Sequence, residues 1–213
     1  MKKMNDSWVT LFDHGSVFSV SKPDQPVSAP PLVLLHGLTG DETSLHALAA
    51  RIQRSRWIIS LRGFISEPTG GYAWAKSKSS SQADYADAIN AFFPAWRNIQ
   101  SLLGFETNQI DLMGFSQGAA FTSLLLLTFP DAVRRAALIS GFIPRFTFPS
   151  LPDLTGHQVM ISHGTQDTTV PFAEAQRSAD LLASMGAEVT FCQSNTRHKI
   201  GAYCLNQLQT FYD

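Results

Sequence analysis

Short apolar runs alternate with stretches of helical periodicity from Pro31 onward, and this alternation limits the fold more than any other feature of the sequence. The runs that read as strands are residues 32–35, 56–61, 110–115, 136–139, 158–162 and 188–192. Strands without polar alternation are buried on both faces, and helices between them imply parallel neighbours joined by right-handed crossovers. The sequence therefore predicts an open, mostly parallel α/β sheet with helices on both faces.

The intervening helices are predicted at residues 44–52, 82–103, 117–129, 172–185 and 200–211. We expect Pro94 to kink or interrupt the second of them, because proline removes a helical hydrogen bond. The third is apolar all round, which predicts a deep position against the sheet. The last helix places along one face Ile200, Cys204, Leu208 and Phe211.

The residues before Pro31 follow a different pattern. Two alternating stretches, 8–12 and 17–20, flank turn residues and predict an antiparallel hairpin over about residues 8–20. A proline-rich loop at residues 22–31 then leads to the first strong strand. A chain of 213 residues suits one domain with a sizeable core, so we expect a single domain over residues 1–213.

Composition and charge exclude several classes of protein. Hydrophobic residues make up 44% and charged residues 15%, which is not a disordered composition, and a net charge of −1 gives no electrostatic reason for a nucleic-acid partner. No apolar run is placed as a signal-peptide core or is long enough to cross a bilayer. These observations predict a cytoplasmic protein without stable membrane insertion, in which Cys192 and Cys204 remain reduced and fill the core.

The segment Gly-Phe-Ser-Gln-Gly at residues 114–118 matches the G-x-S-x-G turn between a strand and a helix. Such a turn strains the serine backbone and exposes its hydroxyl, and it needs small residues two positions before and after, where strand and helix approach. The segment follows an apolar strand and opens an apolar helix, as the turn requires. Ser116 is therefore the predicted nucleophile, and the alternative is a glycine-rich turn with a capping serine.

A serine hydroxyl is a poor nucleophile without a neighbouring base. Of the six histidines, only His198 lies in a loop after the last predicted strand. His36 and His163 also end strands and lie near the same edge of the sheet. We predict that His198 is the base, and the alternative is a solvated loop histidine or a cap of the final helix.

The acid should lie between the serine and the histidine along the chain. Asp167 follows the predicted strand at residues 158–162, at the edge where open α/β sheets bind their ligands. Asp131 follows a helix and faces the opposite edge, and Asp153 is a weaker rival. Asp167 is therefore the predicted acid, which would orient the imidazole and stabilise its charged form.

An oxyanion hole needs two backbone N–H groups aimed at the reacting carbonyl oxygen. One comes from the residue after the nucleophile, here Gln117, and the other from the loop after the first central strand. That loop reads His-Gly-Leu-Thr-Gly at residues 36–40, and its glycines let the backbone approach the reacting centre closely. We assign the second N–H group to Leu38.

Several segments together resemble the phospholipase/carboxylesterase family of α/β-hydrolases, which includes acyl-protein thioesterases and small bacterial carboxylesterases. They are Leu-Leu-His-Gly-Leu at 34–38, Gly-Phe-Ser-Gln-Gly at 114–118, His-Gly-Thr-Gln-Asp-Thr-Thr-Val-Pro at 163–171, and His198. The resemblance runs from about residue 31 to the end. It implies the α/β-hydrolase fold, a Ser-His-Asp triad, no metal and no organic cofactor. The matching site residues are Ser116, Asp167, His198, Leu38 and Gln117.

Only residues 141–157 are available for a lid, which is too short for a cap domain. The Gly-Gly-Tyr-Ala-Trp segment at residues 70–74 is similar to a loop that lines the substrate groove in the family. We expect an open, shallow apolar groove lined by Trp74, Phe142 and Ile143, which would suit a short or medium acyl chain. The alternative is that these side chains pack as core or as loop anchors.

These residues predict a serine hydrolase that cleaves carboxylic esters or thioesters through an acyl-enzyme. The preferred prediction is a short- to medium-chain carboxylesterase that acts on a small-molecule or acylated substrate. Acyl-protein thioesterase, lysophospholipase, peptidase and carbon–carbon hydrolase are alternatives with the same triad. A non-catalytic ligand-binding protein on the same scaffold is the alternative of another class, because fold alone does not specify function. The sequence makes no prediction of the oligomeric state.

Overall fold

The computed structural model describes residues 8–23, 29–52, 55–76, 81–147 and 150–212. Its strands are β1 (Val9–Asp13), β2 (Ser16–Ser21), β3 (Leu32–Leu35), β4 (Ile58–Leu61), β5 (Ile65–Ser66), β6 (Tyr72–Ala73), β7 (Ile110–Phe115), β8 (Val133–Ile139), β9 (Gln158–Gly164) and β10 (Glu188–Ser194). Its α-helices are α1 (His46–Ala49), α2 (Ala86–Leu103), α3 (Gln117–Thr128), α4 (Phe172–Ser184) and α5 (Ala202–Tyr212). Short 3₁₀ helices, Gln82–Tyr85 and Pro130–Ala132, precede α2 and β8.

Eight of these strands form one sheet, in the order β1-β2-β4-β3-β7-β8-β9-β10. Along this order, every pair of neighbouring strands from β4 through β3, β7, β8 and β9 to β10 is parallel. The strand β2 pairs antiparallel with both β1 and β4, so the amino-terminal hairpin forms one edge of the sheet. The predicted mostly parallel sheet with an antiparallel hairpin at its start is confirmed.

Helices cover both faces of this sheet, as predicted. Buried side chains of α2, α3 and α4, among them Phe92, Phe121 and Leu182, join one apolar cluster. Ala49 of α1 and Leu208 of α5 join a second cluster. Successive residues of β3 contribute alternately to the two clusters, which therefore lie on opposite faces. The helix α3 is buried from residue 117 to residue 127, in agreement with its apolar sequence.

Several elements differ in detail from the sequence predictions. The helix α1 is only four residues long, and the two-residue strands β5 and β6 are too short to show a period in the sequence. The helix α2 continues through Pro94, so the interruption expected there is absent. Pro94 lies on the exposed side of α2, where water can satisfy the carbonyl group that loses its helical donor. In α5 the buried face ends at Tyr212 rather than at Phe211.

The two cysteines form a disulfide, and the prediction of two reduced thiols is therefore wrong for this structure. Cys192 lies in β10 and Cys204 in the first turn of α5, and both are buried. The packing of α5 against β10 brings their Cα atoms to 5.7 Å, which is within the usual range for a disulfide. This proximity depends on tertiary packing and is invisible in the spacing of the two residues.

A buried ion cluster lies where the parallel strands of the sheet begin, at their amino ends. The carboxylate of Asp111 in β7 is fully buried and accepts hydrogen bonds from Arg56 at 2.5 Å and from Arg134 at 2.6 and 2.9 Å. Arg56 also donates to the main-chain oxygen of Tyr212, at the end of α5. The Tyr212 hydroxyl donates to the main-chain oxygen of Leu112 at 2.6 Å. The cluster therefore ties the carboxyl end of α5 to β7.

Candidate active site

The turn between β7 and α3 has the strained geometry expected from its sequence. Ser116 has a φ of 53° and a ψ of −116°, a backbone conformation that residues other than glycine rarely adopt. A Cβ atom on Gly114 would overlap the main chain of Gly118, and one on Gly118 would overlap the main-chain oxygen of Leu35. Glycine at both positions lets strand and helix meet, and Ser116 is left half-buried at the carboxyl edge of the sheet.

The structure brings Ser116, His198 and Asp167 together in one hydrogen-bonded chain. The distance from Ser116 Oγ to His198 Nε2 is 2.8 Å, and the distance from His198 Nδ1 to Asp167 Oδ2 is 2.7 Å. With the Nδ1–H tautomer, the serine hydroxyl donates to Nε2 and the imidazole donates to the carboxylate. The three residues come from the loops after β7, β9 and β10, so the arrangement follows from the shared edge of these parallel strands.

The Asp167 carboxylate is held by its own loop as well as by the histidine. Its Oδ1 accepts hydrogen bonds from the backbone N–H groups of Thr169 at 2.8 Å and Val170 at 3.0 Å. Burial by itself raises the pKa of this carboxyl group, but these hydrogen bonds and the nearby imidazole lower its pKa below the ordinary value. Asp167 is therefore a fixed negative charge beside His198 at neutral pH.

The two segments predicted to form the oxyanion hole lie close to the nucleophile. Gln117 follows Ser116 directly, and a Cβ atom on Gly37 would lie 3.3 Å from Cβ of Ser116. Among the residues that the structure describes, the backbone N–H groups of Leu38 and Gln117 donate to no protein acceptor. The two N–H groups are thus free to bind an oxygen that develops charge above Ser116.

A buried histidine anchors the loop at residues 36–40. His36 accepts a hydrogen bond at Nε2 from the backbone N–H of Gly63 at 2.8 Å, so its Nδ1–H donates to the main-chain oxygen of Gly37 at 2.7 Å. Burial lowers the pKa of His36, which favours this neutral form. Its main-chain oxygen accepts a bond from the Trp74 indole at 2.7 Å. His36 therefore fixes the loop and is not available as a catalytic base.

The buried side chain of Gln117 links the turn to the loop after β6. Its Oε1 accepts from the backbone N–H of Trp74 at 2.9 Å, and its Nε2 donates to the main-chain oxygen of Ala75 at 2.9 Å. Only the backbone of Gln117 was predicted from the sequence to take part in the site. The sign available in the sequence was a polar residue at the start of a mostly apolar helix, where a buried side chain needs a partner.

Replacing Gln117 by methionine tests this link, since the side-chain volume is nearly kept. The change leaves a buried N–H and a buried carbonyl group without partners, so we expect the free energy of unfolding to fall by about 1–3 kcal/mol. The backbone N–H of residue 117 remains, so kcat should fall far less than on removal of Ser116 Oγ. Urea unfolding and steady-state kinetics measure the two effects. Unchanged stability would show that the link contributes nothing.

The three residues predicted for the groove occupy different environments. Trp74 is fully buried and packs on Phe121 and His36, so it belongs to the core and offers no surface to a substrate in this structure. Ile143 is likewise fully buried in the core, so Phe142 is the one predicted groove residue that is partly exposed; both border a cavity of about 410 Å³. The other residues around it are Arg145, Thr169, Val170, Pro171, Glu174 and Arg177. Because Thr169 and Val170 bind the Asp167 carboxylate, this cavity lies beside the loop of Asp167, and neither Ser116 nor His198 borders it.

The remaining candidates from the sequence do not join this chain. Asp153 is held in its own turn by the backbone N–H of Thr155 at 2.9 Å. His163 is buried and donates from Nε2 to the main-chain oxygen of Val170 at 3.0 Å, with Asp167 Oδ2 at 3.4 Å from the same nitrogen. His163 thus supports the loop of Asp167.

A second serine–histidine pair lies elsewhere and has a different hydrogen-bonding pattern. Ser19 Oγ donates to the main-chain oxygen of Glu42 at 2.9 Å, so His46 Nε2, at 2.6 Å, is a donor to Ser19. Ser19 is fully buried. The hydroxyl proton of Ser19 is held by the hydrogen bond to Glu42, and no substrate can reach the buried oxygen, so this pair is structural.

A partly buried ion pair that was not predicted from the sequence lies close in the chain to the loop at residues 36–40. Both carboxylate oxygens of Glu42 accept from Arg62, at 2.6 and 2.7 Å. The Arg62 guanidinium also lies 4.5 Å from the ring centroid of Tyr72. Glu42 and Arg62 lie in separate loops, so no spacing rule in the sequence pairs them.

Comparison with known families decides the class of protein. The family model described as Phospholipase/Carboxylesterase matches residues 16–213. The chain belongs to the phospholipase/carboxylesterase family. As a member of this family it has the α/β-hydrolase fold and is a serine ester hydrolase, in agreement with the resemblance seen in the sequence.

Individual relatives and solved structures of the phospholipase/carboxylesterase family agree with this assignment. Esterase YpfH of Escherichia coli strain K12 is 25% identical over 185 residues, which are 81% of this chain and 76% of that protein. A Bacillus cereus carboxylesterase superposes with a TM-score of 0.84 at 26% identity, covering 93% of each chain. A Mesorhizobium loti carboxylesterase superposes with a TM-score of 0.83 at 27% identity, covering 95% of this chain and 97% of that one.

Metal-binding clusters and membrane-spanning helices are both absent from the described residues. In these ranges no group of three or more His, Cys, Asp or Glu side chains is arranged to hold a metal ion. No helix in the described part of the chain has the length and apolarity needed to span a bilayer. The absence of a metal and an organic cofactor from the reaction stays a prediction.

Proposed function

We propose that this family member hydrolyses carboxylic esters or thioesters with Ser116 as nucleophile, His198 as general base and acid, and Asp167 as the residue that orients the imidazole. The observation that carries the proposal is the pair of hydrogen bonds of 2.8 and 2.7 Å that join the three side chains. Both lie within the range required for proton transfer and for orientation of the base.

In the acylation step, Ser116 Oγ attacks the carbonyl carbon of the substrate while its proton moves to His198 Nε2. The carboxylate of Asp167 stabilises the resulting imidazolium without taking its proton. His198 then gives the proton to the leaving alcohol or thiol as the bond to the acyl carbon breaks. Water attacks the acyl-enzyme by the same path in reverse, and the products are the free acid and Ser116 with its proton.

The developing oxyanion would be bound by the backbone N–H groups of Leu38 and Gln117. Because His36, Trp74 and the Gln117 side chain hold both segments, the donors are placed before the substrate arrives. A preorganised donor of this kind contributes about 10²–10³ to kcat in serine hydrolases.

The substrate is proposed to be a small molecule or an acylated compound with a short to medium acyl chain. A cavity of about 410 Å³ that is bordered by Phe142 and Val170 and lies next to the loop of Asp167 supports an apolar chain of limited length. Within the same mechanism, an acyl-protein thioesterase or a lysophospholipase is the second candidate. Activities on p-nitrophenyl esters and on acyl thioesters of two to sixteen carbons, compared as kcat/KM, distinguish them. A maximum at sixteen carbons would contradict the proposed chain length.

Labelling with a fluorophosphonate followed by peptide mass mapping tests the nucleophile. We expect one equivalent of reagent on the peptide that contains Ser116, and no labelling after heat denaturation, because only the folded protein activates the hydroxyl group. Stable attachment to another residue, or none, would overturn the proposal and would favour a ligand-binding protein on the hydrolase scaffold.

The proposed roles also predict the pH dependence of the reaction. A protonated imidazole cannot accept the serine proton, so kcat/KM should fall as the pH is lowered. The pKa of Asp167 is lowered below its ordinary value of 3.8, so this carboxylate stays charged while the activity falls. Its protonation therefore adds no second decrease in kcat/KM. A plot of log kcat/KM against pH should therefore have a limiting acid slope of one. A slope of two would contradict the assignment.

The cellular location predicted from the sequence is retained as part of the proposal, and the disulfide makes it testable. Cytosol keeps most protein thiols reduced. A cytoplasmic protein should therefore carry Cys192 and Cys204 as thiols in intact cells, whereas an oxidising compartment should preserve their cross-link. Alkylation of cells before lysis, followed by mass analysis, separates these cases. A cross-link that survives would contradict the cytoplasmic location.

A further inference from the structure

The Cys192–Cys204 disulfide encloses the loop that carries the proposed base. The strand β10 ends at Ser194, α5 begins at Ala202, and His198 lies midway between the two cysteines, which are 12 positions apart in the sequence. The cross-link therefore closes a short ring around the one histidine that contacts Ser116.

The first half of this ring is already fixed by hydrogen bonds to the loop of Asp167. The main-chain oxygen of Ser194 accepts from the backbone N–H of Thr165 at 2.8 Å, and that of Thr196 accepts from the backbone N–H of Gln166 at 3.0 Å. Gly164 packs so closely here that a Cβ atom on it would overlap the main-chain oxygens of Thr196 and its neighbour. These contacts hold the chain as it leaves β10.

The second half of the ring depends on α5. The hydroxyl of Thr196 donates to the main-chain oxygen of Lys199 at 2.9 Å, which is a bond within the loop itself. At the far end of α5, arginine side chains from other elements bind the main-chain oxygens of residues 211 and 212. At its near end, Cys204 is bonded to Cys192, and the Ser194 hydroxyl donates to its sulfur at 3.1 Å. The cross-link thus supplies the covalent anchor nearest to the His198 loop.

We propose that the Cys192–Cys204 disulfide is a positioning element for His198, so that its reduction lowers turnover while every reacting group remains present. This inference rests on the proposed role of His198 as the base, and it implies that in a reducing cytosol the protein is in its slower, thiol form. Reduction by dithiothreitol transfers two electrons and two protons from the reagent to the cystine, which gives two cysteine thiols and the cyclic disulfide of the reagent. The start of α5 is then held only by packing, and the imidazole is less often within hydrogen-bonding distance of Ser116.

The test compares oxidised protein, protein reduced with dithiothreitol, and the Cys192→Ala/Cys204→Ala variant. We expect kcat to fall by about 10- to 100-fold in the last two, since small displacements of a catalytic group cost factors of this size. KM should change by less than about twofold, because the substrate contacts are untouched. The rate of fluorophosphonate labelling of Ser116 should fall by the same factor as kcat, since both need the base. Reoxidation should restore kcat.

The chain offers clean controls, because Cys192 and Cys204 are its two cysteines. Dithiothreitol should leave the double variant unchanged. Leu208→Ala removes a fully buried side chain from the same face of α5 and keeps the cross-link. It should lower Tm by about 5–15 °C and leave kcat at 25 °C within twofold. A similar loss of kcat in Leu208→Ala would show that the disulfide acts only as a general stabiliser of α5.

Two other results would overturn the inference. One is full activity in protein that mass analysis shows to carry two thiols. The other is a pair of alkylatable thiols that persists in folded protein after treatment with oxidised glutathione. Either result leaves labelling of Ser116 intact and the proposed function standing. Failure to label Ser116 in the oxidised protein would instead remove the proposed function.

Discussion

Replacing Ser116 by alanine is expected to lower kcat for ester hydrolysis by at least about 10⁴-fold. The change removes the atom that we propose attacks the carbonyl carbon, and the effect of losing a triad nucleophile is typically of this size or larger. The oxyanion donors and the substrate cavity stay in place, so a small residual rate above that of water is expected. Burst-phase and steady-state kinetics on a p-nitrophenyl ester measure the loss, and the initial burst should disappear.

Stability and a matched variant separate this result from unfolding. Ser116 is half-buried with its backbone under strain, and alanine carries the same Cβ atom, so Tm should shift by no more than a few degrees. Ser162→Ala is the control, because Ser162 is a buried serine near the same edge whose hydroxyl oxygen has no hydrogen-bond partner among the described residues. It should keep near-normal activity. A fully active Ser116→Ala protein would remove Ser116 from the mechanism.

Replacing Asp111 by alanine is expected to lower the free energy of unfolding by about 3–5 kcal/mol. Asp111 is fully buried between Arg56 and Arg134, and Arg56 is itself 4% exposed. Removing the carboxylate leaves a buried guanidinium group without its counter-charge, which is the costly case for a buried ion pair. Because domains have a net stability of only about 5–15 kcal/mol, the variant should be markedly unstable. Urea unfolding followed by tryptophan fluorescence provides the measurement.

The conservative Asp111→Asn variant and a surface pair make this prediction specific. An asparagine side chain keeps the shape of aspartate but only one of its two acceptor oxygens. The free energy of unfolding of Asp111→Asn should therefore fall by an intermediate amount, which can be measured even if the alanine protein does not fold. Glu174→Ala breaks the pair with Arg177, in which both side chains are more than 40% exposed, and should cost less than about 1 kcal/mol. An equal fall in the free energy of unfolding on breaking the buried pair and the exposed pair would contradict this prediction. Activity of folded Asp111→Asn protein should be kept, since the cluster lies at the opposite edge from Ser116.

The parts of this molecule that the sequence predicts well are those governed by local rules. Apolar runs of four to six residues identified the central strands, because strands covered on both faces have no polar alternation. The turn around Ser116 was predictable because its two glycines are required by contact between consecutive elements. His198 and Asp167 were chosen by their position after parallel strands, and the structure places His198 against Ser116 and Asp167 against His198.

Tertiary contacts account for what the sequence could not show. Cys192 and Cys204 carry no local sign of their pairing, which depends on how α5 packs on β10. Trp74 was assigned to a groove, yet its indole N–H finds a buried acceptor on His36 and its ring packs in the core. The sequence shows a tryptophan's capacity for burial and for one hydrogen bond, but which of its neighbours supplies the acceptor is decided by the loops around it.

The absence of a lid over the site, within the described residues, has a consequence for the fate of the acyl group. Among the described residues no helix or strand lies between β8 and β9, and the His198 side chain keeps 23% of its surface exposed. Bulk solvent can therefore reach the proposed acyl-enzyme directly, and any nucleophile dissolved in it competes with water. Added methanol should accordingly divert part of the product to the methyl ester, in proportion to its share of the solvent.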